Sequence, residues 1–76
     1  MHKLIEILKK IRSGVDWENE TQLIDGGLID SFDIIALIGD LNDEFNVHID
    51  LEHMTPENFN SAQAILDLLK SLGANI

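Results

Sequence analysis

Apolar residues recur at helical spacing in three stretches of this chain. Leu4, Leu8, Ile11 and Val15 fall at i, i+4, i+7 and i+11, and Ile5 and Ile7 widen the stripe. Lys9, Lys10 and Arg12 follow in its last turns, where cations suit the negative end of a helix dipole, and Gly14 marks a stop. Between Phe32 and Phe45, the side chains of Ile34, Leu37, Ile38, Leu41 and Phe45 share one side when projected at about 100° per residue. Asp30 or Ser31 is placed to cap that helix, and Asn46 to end it, since asparagine tolerates the left-handed conformation. Ala62, Ile65, Leu66, Leu69 and Leu72 share a third face, with Ser61 as cap and Gly73 as stop. Thr55-Pro56 opens a shorter helix before it, because the N–H that proline lacks is unpaired at a helix start anyway.

Two connections join these stretches. Residues 14 to 30 form a long one, and such a loop belongs in a compact domain only if it packs its own side chains or serves function. Trp17, Leu23, Ile24, Leu28 and Ile29 can pin it to the core, and Gly26-Gly27 supplies a turn. Val47 to Met54 reads as a second loop, in which Val47-His48-Ile49 alternates without a partner strand. The expected fold is all-α: a small four-helix bundle of three main helices and one short helix, in a single domain over residues 1–76.

The second helix has an apolar side too many. Phe32, Ile35, Ala36 and Gly39 fall opposite the core-facing set, with Asp33, Asp40, Asp43 and Glu44 along one flank and Asn42 along the other. A small apolar patch rimmed by charge is the pattern of a docking surface. Gly39 sharpens the point, because a mid-helix glycine costs roughly 1 kcal/mol relative to alanine. Close approach by a partner or by another helix would rationalise it.

Charge narrows the partners. The chain has 76 residues and a formal net charge of −9. Residues 13 to 69 contain no Lys or Arg and hold every acidic residue except Glu6. That balance argues against nucleic acid and anionic membrane surfaces and favours partners with basic surfaces, the plainer reading being a solvated acidic surface that keeps a small protein soluble. No cysteine is available for a disulfide, so stability must come from helix packing in a domain that buries only roughly 60% of its unfolded surface. No apolar run is long enough to cross a membrane, and Met1-His2-Lys3-Leu4 lacks a signal-peptide core. A monomeric, soluble, cytoplasmic protein is expected.

Catalytic chemistry is not expected from this chain alone. His48 and His53 are five residues apart, not the i, i+4 pair of a helical zinc site, and no cysteine supports one. Asp40-Leu41-Asn42-Asp43-Glu44 lacks the glycine turn of a calcium loop. Ser31 has acids beside it in sequence but no histidine, so no triad is legible.

Asp30-Ser31-Phe32, led in by Leu23-Ile24-Asp25-Gly26-Gly27-Leu28-Ile29 and followed by an acidic helix, resembles the attachment site of acyl carrier proteins. The resemblance runs from Leu4 to Leu72 and is closest across Leu23 to Phe45. It implies that Ser31 carries a 4′-phosphopantetheine arm, delivered from coenzyme A by a phosphopantetheinyl transferase, with Asp30 positioning the serine. The arm's thiol would hold acyl or aminoacyl cargo as a thioester, loaded by a ligase or synthase and passed to downstream biosynthetic enzymes. The resemblance places partner recognition on the second helix, through Phe32, Asp33, Ile35, Ala36, Gly39, Asp40 and Asp43. It also implies that the long first loop lets the first two helices run roughly parallel.

Departures from the family pattern bear on subtype. Fatty-acid carriers usually have Leu where Phe32 stands, and acids where Ala36 and Asn42 stand. Pro56-Glu57-Asn58-Phe59-Asn60-Ser61 is more similar to aminoacyl or stand-alone carriers, and Asp-Ser-Phe also occurs among D-alanyl carriers. The expectation is a specialised stand-alone or aminoacyl/D-alanyl-type carrier, with the housekeeping fatty-acid carrier as runner-up. The alternative from a different class is a cofactor-free helical interaction module that uses the patch on the second helix.

Overall fold

The apolar stripes read from spacing meet in one core. The computed structural model describes residues 2–74. It contains α1 (His2–Ile11), α2 (Ser31–Phe45), α3 (Pro56–Phe59) and α4 (Ala62–Ser71), with a 3-10 turn at Leu51–His53 before α3. The protein is therefore a small all-helical bundle of three main helices and one short one. No strand forms among the described residues.

The core is built where periodicity placed it. Leu4, Ile5, Ile7 and Leu8 of α1, Ile34, Leu37 and Leu41 of α2, Phe59 of α3, and Ala62, Ile65, Leu66, Leu68 and Leu69 of α4 are all buried. Ile38, Phe45 and Leu72, expected in the core, are only half-buried at its edge. Leu68 goes the other way: it lies outside the stripe formed by Ala62, Ile65, Leu66, Leu69 and Leu72, yet it is buried. Among the described residues no polar or charged side chain is buried, so apolar packing carries the interior.

The helix ends follow their capping chemistry. Ser61 Oγ accepts the Ala64 N–H at 3.0 Å. Gly73 ends α4 at φ +91°, and the Gly73 and Ala74 N–H groups return to the carbonyls of Lys70 and Leu69. Those paired bonds form a Schellman closure, which needs a left-handed residue at that point. Asn46 ends α2 at φ 53°, with its N–H on the Asn42 carbonyl. Thr55 stands at the N-cap of α3, but its side chain makes no cap bond there. Helix α1 stops at Ile11, three residues before Gly14.

The direction of the first two helices corrects an expectation. Arg12, just past the end of α1, reaches Asp33 in the first turn of α2 at 3.0 Å. Lys3, in the first turn of α1, reaches Glu44 in the last turn of α2 at 2.8 Å. The start of each helix thus lies beside the end of the other, and α1 and α2 run antiparallel, not parallel. The long connection does not carry the chain across the bundle. It leaves and returns at the same end, as a closed surface loop does.

That loop is packed. Trp17, Leu23 and Ile29 are buried, with Val15, Ile24 and Leu28 against the core. Trp17 Nε1 donates to the Arg12 carbonyl at 3.1 Å, which settles the indole's one donor beside the end of α1. Gly27 turns at φ +74°, a conformation that glycine adopts without steric cost. The second loop shows the alternation expected of Val47-His48-Ile49 without any strand. Ile49 is buried, Val47 half-buried and His48 exposed, and Asn42 Oδ1 accepts the Ile49 N–H at 2.9 Å.

Candidate functional site

Ser31 is the first residue of α2 and is exposed. The sequence left two candidates for the cap of this helix, and the structure assigns the role to Asp30. Asp30 Oδ1 accepts the Asp33 N–H at 3.0 Å, and Asp33 Oδ2 accepts the Asp30 N–H at 3.2 Å. This reciprocal pair is a capping box with aspartate in the glutamate position. The Ser31 hydroxyl is therefore not the capping group. Asp30 fixes the backbone on one side of it, and the buried Ile29 anchors the approach.

Arg12 braces the same corner. Its Nη2 donates to Asp33 Oδ2 at 3.0 Å, so one carboxylate oxygen receives both the guanidinium and the Asp30 N–H. The Arg12 hydrogen bond, followed by the Asp30 backbone bond, holds the Asp33 carboxyl below its ordinary value. Both stabilise the ionised form. At the far end of α2, the bond from Lys3 and its charge, with a smaller contribution from Lys10, hold Glu44 below its ordinary value.

The outer face of α2 is as exposed as its spacing implied. Phe32 is 81% exposed and Ile35 is 56% exposed, the two large apolar side chains most open to water among the described residues. Ala36, Gly39, Asp40 and Asp43 are exposed beside them. Asp33 stands apart from that set: it is half-buried and engaged by Arg12 and Asp30. Asp40 and Asp43 line a cleft of about 200 Å³ between α1 and α2, together with Ile7, Lys10 and Glu44. A Cβ built on Gly39 meets nothing within 4 Å. Packing inside the protein therefore does not require the glycine.

The histidines lie elsewhere. His48 Nε2 lies 2.6 Å from Asp50 Oδ1, and His53 Nδ1 accepts the Asp50 N–H at 3.0 Å, so both side chains serve the loop after α2. His2 pairs with Glu6 on the exposed side of α1 at 3.0 Å. Among the described residues no group of three or more His, Asp or Glu side chains is arranged to hold a metal ion. Likewise no helix there is long and apolar enough to cross a membrane.

Two residues near the site were missed by sequence reasoning. Arg12 reads only as a helix-end cation, and Asn60 only as one residue of the 56–61 stretch that bears on carrier subtype. Nothing local marks either, because their partners are distant: Asp33 lies 21 positions from Arg12, and Ile24 and Asp25 lie 36 and 35 positions from Asn60. Comparison with known proteins yields neither a matching family model nor a significant curated match.

Proposed function

We propose that this protein is a phosphopantetheine-dependent carrier with Ser31 as its attachment point. The observation that carries the reading is an exposed serine at the first position of a capped helix, its hydroxyl spared from capping by Asp30. The serine sits on a rigid element, at the end where backbone N–H groups and the helix dipole favour an anion. A phosphodiester on Ser31 has that favourable setting.

A transferase supplies the base that the chain lacks. It takes the hydroxyl proton while Ser31 Oγ attacks the pantetheine-side phosphorus of coenzyme A. The new Oγ–P bond forms as the pyrophosphate P–O bond breaks, and adenosine 3′,5′-bisphosphate leaves. The chain has no cysteine, so the arm brings the thiol that thioester chemistry needs. Cargo is an acyl or aminoacyl group loaded by a ligase or synthase. The departures at Phe32, Ala36 and Asn42 favour a specialised or D-alanyl-type carrier over a fatty-acid one.

Partner enzymes would meet the outer face of α2. Phe32, Ile35, Ala36 and Gly39 offer apolar contact, and Asp40 and Asp43 offer charge to a basic surface. Asp33 is assigned a supporting part instead, since Arg12 and Asp30 already occupy it.

The test is incubation with a broad-specificity phosphopantetheinyl transferase and coenzyme A, followed by intact mass. Gain of one phosphopantetheinyl group in the wild type, and none in Ser31→Ala, is expected. No gain, or a gain that survives Ser31→Ala, sinks the reading. A second reading, a cofactor-free interaction module, is favoured by the exposure of Phe32 and Ile35. It predicts partner binding that is indifferent to the state of Ser31.

A further inference from the structure

Asn60 follows α3 and is distant from Ser31 in sequence, yet it holds the segment that leads to that serine. Its carbonyl accepts the Leu23 N–H at 2.9 Å. Its Oδ1 accepts the N–H groups of Ile24 at 3.0 Å and Asp25 at 3.1 Å. Its Nδ2 donates to Asp25 Oδ2 at 3.0 Å. Both acceptor sites of the side-chain oxygen are thus used on consecutive backbone amides of one loop.

The held residues shape the approach to α2. The Leu23 carbonyl accepts the N–H groups of Leu28 and Ile29 at 3.0 and 3.1 Å, which closes the loop on itself. Inside the turn, the Gly26 N–H bonds to the Gln22 carbonyl, and a Cβ on Gly26 would lie 2.5 Å from that oxygen. Ile29 then enters the core, Asp30 caps α2, and Ser31 follows. A continuous path of bonds therefore runs from the α3–α4 junction to the serine.

We propose that Asn60 is a positioning residue for Ser31. By fixing residues 23–25 from across the bundle, it presents the loop and the serine to the modifying transferase as one preformed surface. The proposal rests on the carrier reading. A loop released from Asn60 samples several conformations, and a partner that needs one of them binds more weakly in proportion to its population. The hydroxyl and the helix cap are left as they were. Loss of Asn60 therefore raises KM for the carrier and spares kcat.

The discriminating pair exchanges donor and acceptor. Asn60→Asp keeps the acceptor for the two amides but sets a second carboxylate against Asp25. Adding Asp25→Asn restores a donor–acceptor pair with the roles reversed. Steady-state transfer from coenzyme A would be measured for each variant, with circular dichroism confirming that it is folded at the assay temperature. Asn60→Asp is expected to lower kcat/KM about tenfold through KM, with kcat within about twofold, and the double variant to return to within about threefold of wild type. If Asn60→Asp does not fold, Asp25→Ala removes only the Nδ2 acceptor and is expected to raise KM about threefold.

A role confined to stability predicts a lower melting temperature with unchanged KM. Unchanged KM in the folded variants, or a double variant no better than Asn60→Asp, overturns the proposal while leaving the carrier reading intact. A wild-type chain that accepts no arm overturns both.

Discussion

The two sides of α2 bear similar residue types and meet opposite fates. Ile34, Leu37 and Leu41 point inward and are nearly inaccessible, while Phe32 and Ile35, on the same helix, stand in water. The flank beside α1 shows a matching division among the acids. Asp33 and Glu44 are tied to Arg12 and Lys3, whereas among the described residues Asp40 and Asp43 make no ion pair. Residues that hold the helix in place and residues that remain available to a partner are therefore separate sets. Substitution can then strike one role without the other.

The sharpest break in that comparison comes from paired truncations. Leu41→Ala, in a fully buried position, is expected to cost about 2–5 kcal/mol. A domain this small rarely has more than about 3–5 kcal/mol to lose, so urea denaturation should find it partly or wholly unfolded. Phe32→Ala should change stability by less than about 0.5 kcal/mol and yet, on the carrier reading, weaken association with a loading enzyme. Equal destabilisation by the two would mean that the outer face is not a separate surface.

Next in size is the cap. Asp30→Ala removes the acceptor for the Asp33 N–H and is expected to cost about 1 kcal/mol. On the carrier reading, modification of Ser31 should slow as well, because the first turn frays. Chemical denaturation and transfer kinetics on one preparation would show whether the two effects move together.

Gly39→Ala reverses the usual direction. With open space around the added methyl, it is expected to raise stability by up to about 1 kcal/mol. If the glycine serves close approach from outside, the same variant binds its partner enzyme less tightly. A variant that gains stability and keeps full affinity would remove Gly39 from the docking face.

The smallest effect belongs to Arg12. Its pair with Asp33 is partly exposed, so Arg12→Ala should cost less than about 1 kcal/mol. The signature is in the pH dependence. Asp33 has a lowered folded-state pKa, so its contribution is present above the unfolded value of 3.8 and is lost as pH falls through the folded one. In Arg12→Ala the Asp33 carboxyl should titrate closer to 3.8 by NMR, and acid should remove less stability below that pH. An unmoved titration would show that the bonds to Asp30, not Arg12, set it.

Much of this was legible in residue order because it depends on neighbours. The burial of Leu4, Leu8, Leu37 and Leu41 follows from repeats of three and four positions, and so does the exposure of Phe32 and Ile35. Ser61, Asn46 and Gly73 do at helix ends what their side chains and backbone freedom suit. Leu68 escaped because it lies beside the α4 stripe, on a side that only the surrounding elements could cover. The ambiguity between Asp30 and Ser31 persisted because both can cap, and only backbone placement separates them. Ile38, Phe45 and Leu72 were read as core because periodicity gives a direction around the helix but not how far the neighbouring elements extend to cover it.

Sequence by itself determined the helices, their apolar faces and the serine at the start of α2, since each is set within a few turns of chain. Only the tertiary structure decided that α1 and α2 run antiparallel, that Arg12 meets Asp33, and that Asn60 holds residues 23–25. Those contacts join residues 21 to 41 positions apart. A side chain's polarity tells what bond it can make, but where the chain returns decides which partner is within reach.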